Sequence, residues 1–385
     1  MPNTITNLLP VVFAQGLQTL REYCVMPRLV NNNFQDAPAG QGDTINWPLP
    51  TAISDADVAP GPTQVTPPDL TPLRASVTLN RWRRAGFYMT DKERSEIGGG
   101  FQSMQLAEAV KALANGINAH IFGQYVRVAR TVGAPGTAVI TGSDYTARSA
   151  TIRSAMRALD EGLVPGGDRR MVLHTSTYQD ALGVPEFVRV NEAGREAALR
   201  AGMLGELFGF GTYKDQQVPT HGATTATAGA ITVNGAQSAG ITTISLNKIT
   251  NATNLIAGDV LTIGTGTAAI QVAVAANVTL AVGNTSVSLQ FPLQRAVTSG
   301  EAVALTAGAA AYRVNLGFHR DAFAFASRRL TSEVASANMM SMADPVSGVV
   351  LRMELIRQNK QDYIEFDVLY GSACIRPELA VRVVE

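Results

Sequence analysis

The chain carries none of the residue patterns that common enzyme sites require. It has no G-x-x-x-x-G-K-S/T phosphate loop, no G-x-G-x-x-G turn, no G-x-S-x-G elbow and no H-E-x-x-H metal pair. The four histidines stand apart, with no second ligand at i+3 or i+4, and are read as ordinary core or surface residues: His120, His174, His221 and His319. No catalytic, cofactor-binding or metal-binding residue is predicted, and no cofactor is expected.

Two acidic residues form a D-x-D pattern in a proline-rich stretch. Asp55 and Asp57 supply carboxylate oxygens, which are the ligands that hard cations prefer. The same pattern is more common in a solvated turn. We favour the turn and predict no metal there.

The densest basic run surrounds a tryptophan. One interpretation is nucleic-acid binding, with arginine on phosphate and tryptophan stacked on a base. The other, which we favour, is that the arginines pair with carboxylates of a neighbouring chain, because arginine and tryptophan are enriched at protein interfaces. The predicted inter-subunit contacts are Arg74, Arg81, Trp82, Arg83 and Arg84.

The overall charge argues against a protein whose function is dominated by affinity for nucleic acid or anionic lipid. The 385 residues include 31 basic and 31 acidic side chains, whereas such proteins normally carry a basic excess. Two cysteines, Cys24 and Cys374, are too few for a disulfide framework and fit a reducing compartment, although one long-range bridge stays open. Without a signal peptide or a long apolar run, the sequence predicts a soluble intracellular protein and no membrane partner.

The first 130 residues predict an arm, a two-stranded hairpin and a long helix. Apolar residues at helical spacing between Leu8 and Leu20 indicate a short helix that ends by Pro27. Seven prolines then surround two extended stretches, DTINWPL and RASVTLNRW, which predicts a long two-stranded arm outside any central sheet. A capping box at Thr90 opens a short helix, and the apolar stripe over 101–130 predicts one long helix.

The next ninety residues predict an α+β region. A helix capped by Ser143 or Asp144 is expected to run to Leu159, followed by a short buried strand at 170–174. Ser176-Thr-Tyr-Gln179 fits a second capping box. A helix over 192–201 and a strand in GFGTYKDQQVP complete this region.

Residues 222–309 differ sharply in composition from the sequence on either side. They contain four charged residues, Lys248, Asp259, Arg295 and Glu301, and one aromatic residue, Phe291. Short alternating runs such as ITTISL and SVSLQF, separated by turn residues, predict a small all-β barrel or sandwich inserted into a domain that continues on both sides. A disordered low-complexity linker is the alternative.

The C-terminal fifth predicts a hairpin. Residues alternate on a strand around Leu351 to Leu355 and on another around Ile364 to Tyr370, joined by QNKQ. A final strand, ELAVRVV, is expected to join this hairpin.

Several dispersed segments resemble one family. These are NTITNLLPVV, GELFGFGTYKDQQVPTH, NLGFHRDAFAFASRRL, DPVSGVVLRMELIRQNKQDYIEFDVLYG and IRPELAVRVVE. In order and from one end of the chain to the other, they are similar to the coat proteins of short-tailed Salmonella-type phages. The resemblance implies a major capsid protein of a tailed double-stranded DNA phage, with the Hong Kong 97-type capsid fold.

The resemblance also implies a division of the chain. The implied segments are an N-terminal arm at 1–35, an extended loop at 36–90, the spine helix of the peripheral domain at 91–131, the axial domain at 132–221 and again at 310–330, a β-rich insertion domain at 222–309 and the peripheral sheet at 331–385. The insertion is short and nearly uncharged, so no inter-subunit charged loop is assigned within it.

The partners implied by the resemblance are those of a phage shell. The chain would assemble with itself into hexamers and pentamers, guided by a scaffolding protein, around a portal protein and with a decoration protein as a further candidate. Assembly would take place in the host cytoplasm, expansion would follow DNA packaging, and the virion capsid would enclose double-stranded DNA without sequence-specific binding.

Three other functions are weighed against this one. A cellular shell of the same fold would enclose a cargo protein instead of a genome. A carbohydrate-binding β module would need exposed aromatic residues, and the insertion offers only Phe291. A hydrolase would need a paired nucleophile and base, which the sequence pattern does not supply.

Overall fold

The computed structural model describes residues 16, 20, 23–32, 44–49, 55, 57, 73–97, 99–188, 201–224, 230–306, 308, 310–330 and 339–385. The helices whose bounds it gives are α1 Met26–Leu29, α2 Asp91–Ile97, α3 Gly99–Phe122, α4 Tyr145–Glu161, α5 Thr175–Leu182 and α6 Pro185–Val188. The described strands form five sheets, so the predicted α+β class is confirmed. None of the described helices has the length and apolar character needed to cross a bilayer.

A seven-stranded mixed sheet forms the first half of the main core. Its strands are β4 Thr131–Gly133, β5 Arg169–His174, β6 Glu206–Leu207, β7 Phe210–Asp215, β8 Thr220–His221, β17 Tyr312–His319 and β22 Ala380–Val384. Strands β22, β17 and β5 lie side by side at its centre, with β22–β4 and β5–β7 as parallel pairs. These central strands are almost continuously buried, as expected of a sheet that is covered on both faces.

A five-stranded antiparallel sheet forms the other half. Its strands are β3 Arg81–Thr90, β18 Phe323–Arg328, β19 Met339–Ala343, β20 Val350–Gln358 and β21 Gln361–Cys374. Strand β21 pairs with β3 along one edge, and with β20 and then β18 along the other. The predicted hairpin is confirmed: Asn359 and Lys360 join β20 to β21 with φ values of 53° and 60°, as a tight two-residue turn requires.

Helix α3 packs its apolar stripe on this sheet. Leu106, Val110 and Ile117 belong to the same buried cluster as Phe366 and Val368 of β21. The helix is about 36 Å long at 1.5 Å per residue. It tightens into a 3₁₀ turn, Gly123–Arg127, which begins at Gly123, one of two glycines in 101–130, the other being Gly116.

The N-terminal caps of α2, α4 and α5 can each be compared with the predicted capping residues. At Thr90 the box forms as predicted, because Glu93 N donates to Thr90 Oγ1 at 3.2 Å and Thr90 N donates to Glu93 Oε2 at 2.9 Å. Thr90 N and Thr90 Oγ1 both donate to Glu93 Oε2, and these two hydrogen bonds lower the pKa of the Glu93 carboxyl group. Asp144 caps α4 by accepting from Ala147 N. The box predicted at Ser176 is wrong: α5 begins earlier, and the His174 ring caps it by accepting from Ser176 N.

Residues 231–306 form a β barrel with a core of its own. Its sheet contains β9 Ile231–Val233, β10 Thr243–Lys248, β12 Val260–Ile263, β13 Ile270–Ala273, β15 Gly283–Ser288 and β16 Ala302–Thr306, beside the pair β11 Thr253–Leu255 and β14 Val278–Leu280. The bridge between Val274 and Leu289 joins the ends of the two outer strands, so the sheet closes on itself. Its apolar core is separate from the main core, which disagrees with a disordered linker.

Three strands belong to a different sheet from the one that the predicted segments imply. Strand β3 falls in the predicted extended loop and β18 in the predicted axial segment, but both pair with β21. Strand β22 was expected to join the C-terminal hairpin and instead pairs with β17 and β4. Alternation predicts that a strand exists and which face is buried, but it carries no information about the strand's partner.

Two predicted helices fall largely outside the described residues. Of the predicted N-terminal helix, Leu20 is described and is fully buried. The described positions 16, 20 and 23 are helical and 24–25 are not, so a helix ends before Pro27 as predicted, and Pro27 itself lies at the start of α1, where proline is tolerated. The helix predicted over 192–201 lies outside the described residues except for its last position.

Candidate functional site

The predicted arm is a two-stranded ladder that pairs with nothing else among the described residues. Strands β1 Thr44–Leu49 and β2 Leu73–Thr78 pair in antiparallel register from Thr44↔Thr78 to Leu49↔Leu73. Two residues after β2, the chain enters β3 and the five-stranded sheet. Residues 77–84, which we call the arm root, therefore connect this ladder to the body.

A close backbone approach fixes the arm root to the body. A Cβ atom placed on Gly371 of β21 would lie 2.1 Å from the carbonyl oxygen of Thr78, so only glycine permits this contact. Val77 and Leu79 are buried there against Ala324 and Ala326 of β18. The arm root thus packs on small residues of β18 and β21 at the point where the chain passes from β2 into β3.

The arginine run divides between the two faces of β3, because strand residues alternate. On one face, Trp82 Nε1 donates to Asp367 Oδ2 at 2.8 Å and Arg84 lies 3.5 Å from Glu365 Oε2. Asp367 also binds Arg352 at 2.8 Å. Trp82 is nevertheless 64% exposed. The polar groups of Trp82 and Arg84 on this face thus already contact carboxylates of the same chain.

The other face carries cations without a carboxylate partner. Arg81 and Arg83 stand opposite Tyr370 and Val368 of β21, on the face that packs against α3. Both are exposed. Within the described part of the chain, neither these two nor the exposed Arg74 of β2 has a carboxylate within ion-pair distance. The structure thus separates the five predicted contact residues into Trp82 and Arg84, which contact carboxylates of the same chain, and Arg74, Arg81 and Arg83, which contact none among the described residues, although Arg83 hydrogen-bonds the Tyr370 side chain.

The pKa of His120 in α3 is affected by the charges of Arg81 and Arg83. Its Nδ1 lies 3.0 Å from Ser372 Oγ. Burial first, and then the charges of Arg81 and Arg83, lower its pKa from 6.5 to about 4. The imidazole is therefore neutral throughout the physiological range.

We predict that Arg83→Glu raises the pKa of His120, because it replaces a nearby cation with an anion. Proton resonances of the imidazole followed against pH measure the change, with His120→Gln to assign the signal. In the parent protein the unfolded chain takes up a proton below its ordinary pKa of 6.5 while the folded chain does not until about 4. Folding stability should consequently fall as the pH drops across that interval, and His120→Gln should remove this part of the loss.

The remaining polar residues do not assemble a reactive centre among the described residues. Asp55 and Asp57 are exposed, and no group of three potential metal ligands occurs in the described ranges. Both cysteines are free and buried, and desolvation raises the pKa of each thiol to about 12. Phe291 lies 5.1 Å beneath the guanidinium of Arg127, so this ring face is occupied by the protein itself.

One serine–histidine pair was not predicted from sequence. Ser176 Oγ lies 2.8 Å from His174 Nδ1 and accepts a hydrogen bond from Arg313 at 2.8 Å. The same His174 nitrogen accepts from Ser176 N, which makes the pair a helix cap. Its i, i+2 spacing is local capping geometry, and capping explains it without any catalytic role.

Comparisons with known proteins identify the fold. No protein-family model matches the chain, and no curated protein matches it. Among solved structures, a chain of Mycobacterium phage Che8 aligns at 15% identity over 94% of this chain and 90% of that one, with a TM-score of 0.50. The capsid of the cyanophage P-SCSP1u aligns at 12% identity over 94% of this chain and 87% of that one, with a TM-score of 0.54.

These similarities define a class of fold, that of chains from phage particles. They cover 94% of this chain. The protein has the fold of a phage capsid protein.

Proposed function

We propose that the chain is a major capsid protein that assembles into the icosahedral shell of a tailed double-stranded DNA phage. The observation that carries the proposal is the similarity of fold over 94% of the chain to the capsid of a cyanophage. The two-stranded arm supports it, because one face of the ladder packs on the body and the other is exposed, as at Arg74 and Ser76, where a second surface can cover it. A shell subunit provides such a surface on each neighbouring copy.

The proposed contacts follow from the charges at the arm. At the arm and its root, Arg74, Arg81 and Arg83 are exposed cations for which the described residues supply no carboxylate. We assign them to contacts with neighbouring subunits, and Trp82 and Arg84 to the edge of the same surface. Contacts of this heterologous kind repeat around a closed lattice, where many modest interfaces add up.

The finer proposal places the chain in the short-tailed Salmonella-type branch. The barrel over 231–306 would be the insertion domain, and β3 with β18–β21 the peripheral sheet. The Hong Kong 97-type layout is retained, with the boundaries moved so that β3 and β18 join the peripheral domain and β22 the axial domain. The proposed partners are the scaffolding, portal and decoration proteins, with assembly in the host cytoplasm and residence in the virion.

The net charge suits a wall around packaged DNA. With 31 basic and 31 acidic residues the chain has no excess charge with which to hold phosphate. We propose that it encloses DNA by assembly, without binding any sequence, and acts as a structural protein instead of an enzyme.

Electron microscopy of the protein expressed with a scaffolding partner tests the proposal. We expect closed icosahedral particles. A protein that stays monomeric at high concentration with that partner would contradict it. A cellular shell would also give closed particles, so the contents must be analysed: a co-purifying cargo protein would favour the cellular shell, and DNA in packaged particles the virion.

A further inference from the structure

A buried polar cluster joins the barrel to the rest of the protein. Five side chains from distant parts of the sequence meet there, none more than 8% exposed: Tyr125, His221, Thr224, Asp259 and Arg382. Tyr125 lies in the 3₁₀ turn after α3, His221 in β8, Asp259 in a turn of the barrel and Arg382 in β22. We call these five residues the joint.

The hydrogen bonds of the joint form one consistent chain. Asp259 accepts from Thr224 Oγ1 at 2.9 Å and from Ile256 N at 2.8 Å. His221 Nε2 lies 3.0 Å from Asp259 Oδ1 and must donate to this acceptor. With its proton on Nε2, the ring accepts at Nδ1 from the Tyr125 hydroxyl group, which lies 2.8 Å away. A single histidine tautomer therefore satisfies the whole chain from the helix end to the barrel.

Arg382 ties the same two elements together with a buried charge. Its guanidinium donates to Val126 O, in the 3₁₀ turn, at 3.0 Å and to Gly258 O, in the barrel, at 2.5 Å. It also lies 5.3 Å from the centre of the Tyr125 ring. Burial lowers its pKa to about 10, which leaves it charged at neutral pH. If the barrel and the turn separate, Arg382 keeps at most one of these two acceptors.

The surrounding contacts are equally close. Gly258 has φ +96°, and a Cβ atom placed on it would lie 3.0 Å from Val126 Cγ1. Further along the contact, Gln271 of β13 exchanges two hydrogen bonds with the backbone of Thr131 in β4, at 2.8 and 3.1 Å. The barrel is thus held against residues 125–131 by side-chain and backbone contacts.

We propose that the joint makes the barrel and the carboxyl-terminal end of α3 one mechanical unit, so that a displacement of either is transmitted to the other. The physical reason is that separating them would break the buried contacts His221–Asp259 and Arg382–Gly258 and leave their donors without acceptors, so intermediate positions are unfavourable. The α-helix changes to a 3₁₀ turn at Gly123, next to the joint, and we call the transmission of a displacement through this turn the relay. The proposal concerns the isolated chain and does not depend on shell formation.

Hydrogen exchange of the full chain, followed by mass spectrometry, tests the relay in both directions. Tyr125→Phe removes one hydroxyl group from the helix end, and we expect exchange to rise about tenfold in the barrel at 253–263. Asp259→Asn changes the barrel, and we expect a similar rise at 123–131. A double variant should lose little more protection than one single variant, because both interrupt the same chain of hydrogen bonds.

Thr279→Ala is the matched control within the barrel. It removes an exposed hydrogen bond to Asn254 Oδ1 of 2.7 Å, and should leave exchange at 123–131 unchanged. If each joint variant raised exchange only in its own element, the relay would be refuted. Should Asp259→Asn fail to fold, Tyr125→Phe decides alone, and unchanged exchange at 253–263 in that variant would overturn the proposal.

Discussion

Arg83→Glu should leave the subunit folded but prevent the closure of complete shells. Arg83 is exposed on β3 and has no carboxylate partner within the described residues, so its reversal breaks none of the ion pairs that they form. At an interface, the reversal would place two carboxylates together, and the loss of a desolvated charge pair costs about 2–5 kcal/mol per contact. Each subunit repeats the contact, so even about 1 kcal/mol per subunit would shift the assembly midpoint.

Light scattering during assembly and circular dichroism of the subunit measure the two halves of this prediction. Arg153→Glu, the same change of charge on an exposed position of α4, is the control and should assemble normally. The nucleic-acid interpretation of the arginine run predicts another outcome. Normal assembly of empty particles by Arg83→Glu, with poor retention of DNA, would transfer Arg81 and Arg83 from the subunit contact to the packaged genome.

Local elements of the fold were accessible from the sequence because their causes are local. The stripe over 101–130 led to α3 since its apolar side chains face one sheet. The box at Thr90 and the cap at Asp144 formed because each involves residues three positions apart. The alternating, uncharged segment after residue 222 contains the barrel because alternation alone sets which side chains enter its core.

Strand partners were not accessible, because pairing is decided by packing over the whole chain. Strand β22 has five buried residues and fits a central position in the seven-stranded sheet, whereas its sequence neighbour β21 lies in the other sheet. The joint was likewise out of reach. His221 and Asp259 are 38 residues apart and Tyr125 and His221 are 96 apart, so no spacing rule connects them.

The candidate site was predicted as a set of residues but not as a geometry. The sequence indicated five contact residues without distinguishing Arg84, which lies near Glu365, from Arg81 and Arg83. That distinction depends on the register between β3 and β21, which places Arg84 opposite Asp367 and Arg83 opposite Val368. The role of Gly371 was invisible for the same reason, since its constraint comes from Thr78, almost three hundred positions earlier.

Gly371→Ala should destabilise the protein and displace the arm, although it adds one methyl group. The new Cβ atom would lie 2.1 Å from the Thr78 carbonyl oxygen and 2.8 Å from its carbonyl carbon, both backbone atoms that no rotamer change can move. The arm root must therefore shift away from β21, taking Val77 and Leu79 out of their contacts with β18. Overpacking of this kind costs about 1–3 kcal/mol, and a shifted root also changes the direction of the β1–β2 ladder.

Gly116→Ala is the matched control for that change. Gly116 is an exposed residue inside α3, and a Cβ atom placed on it would meet nothing within 4 Å. Alanine there should raise stability by up to about 1 kcal/mol through helix propensity. Denaturant unfolding of the two variants should then show shifts of opposite sign from one and the same substitution. Equal shifts would mean that Gly371 holds no close contact. Gly371→Ala should also fail to form complete shells, because the direction of the ladder would change on every subunit. If the variant were destabilised yet still formed complete shells, the direction of the arm would have no part in assembly.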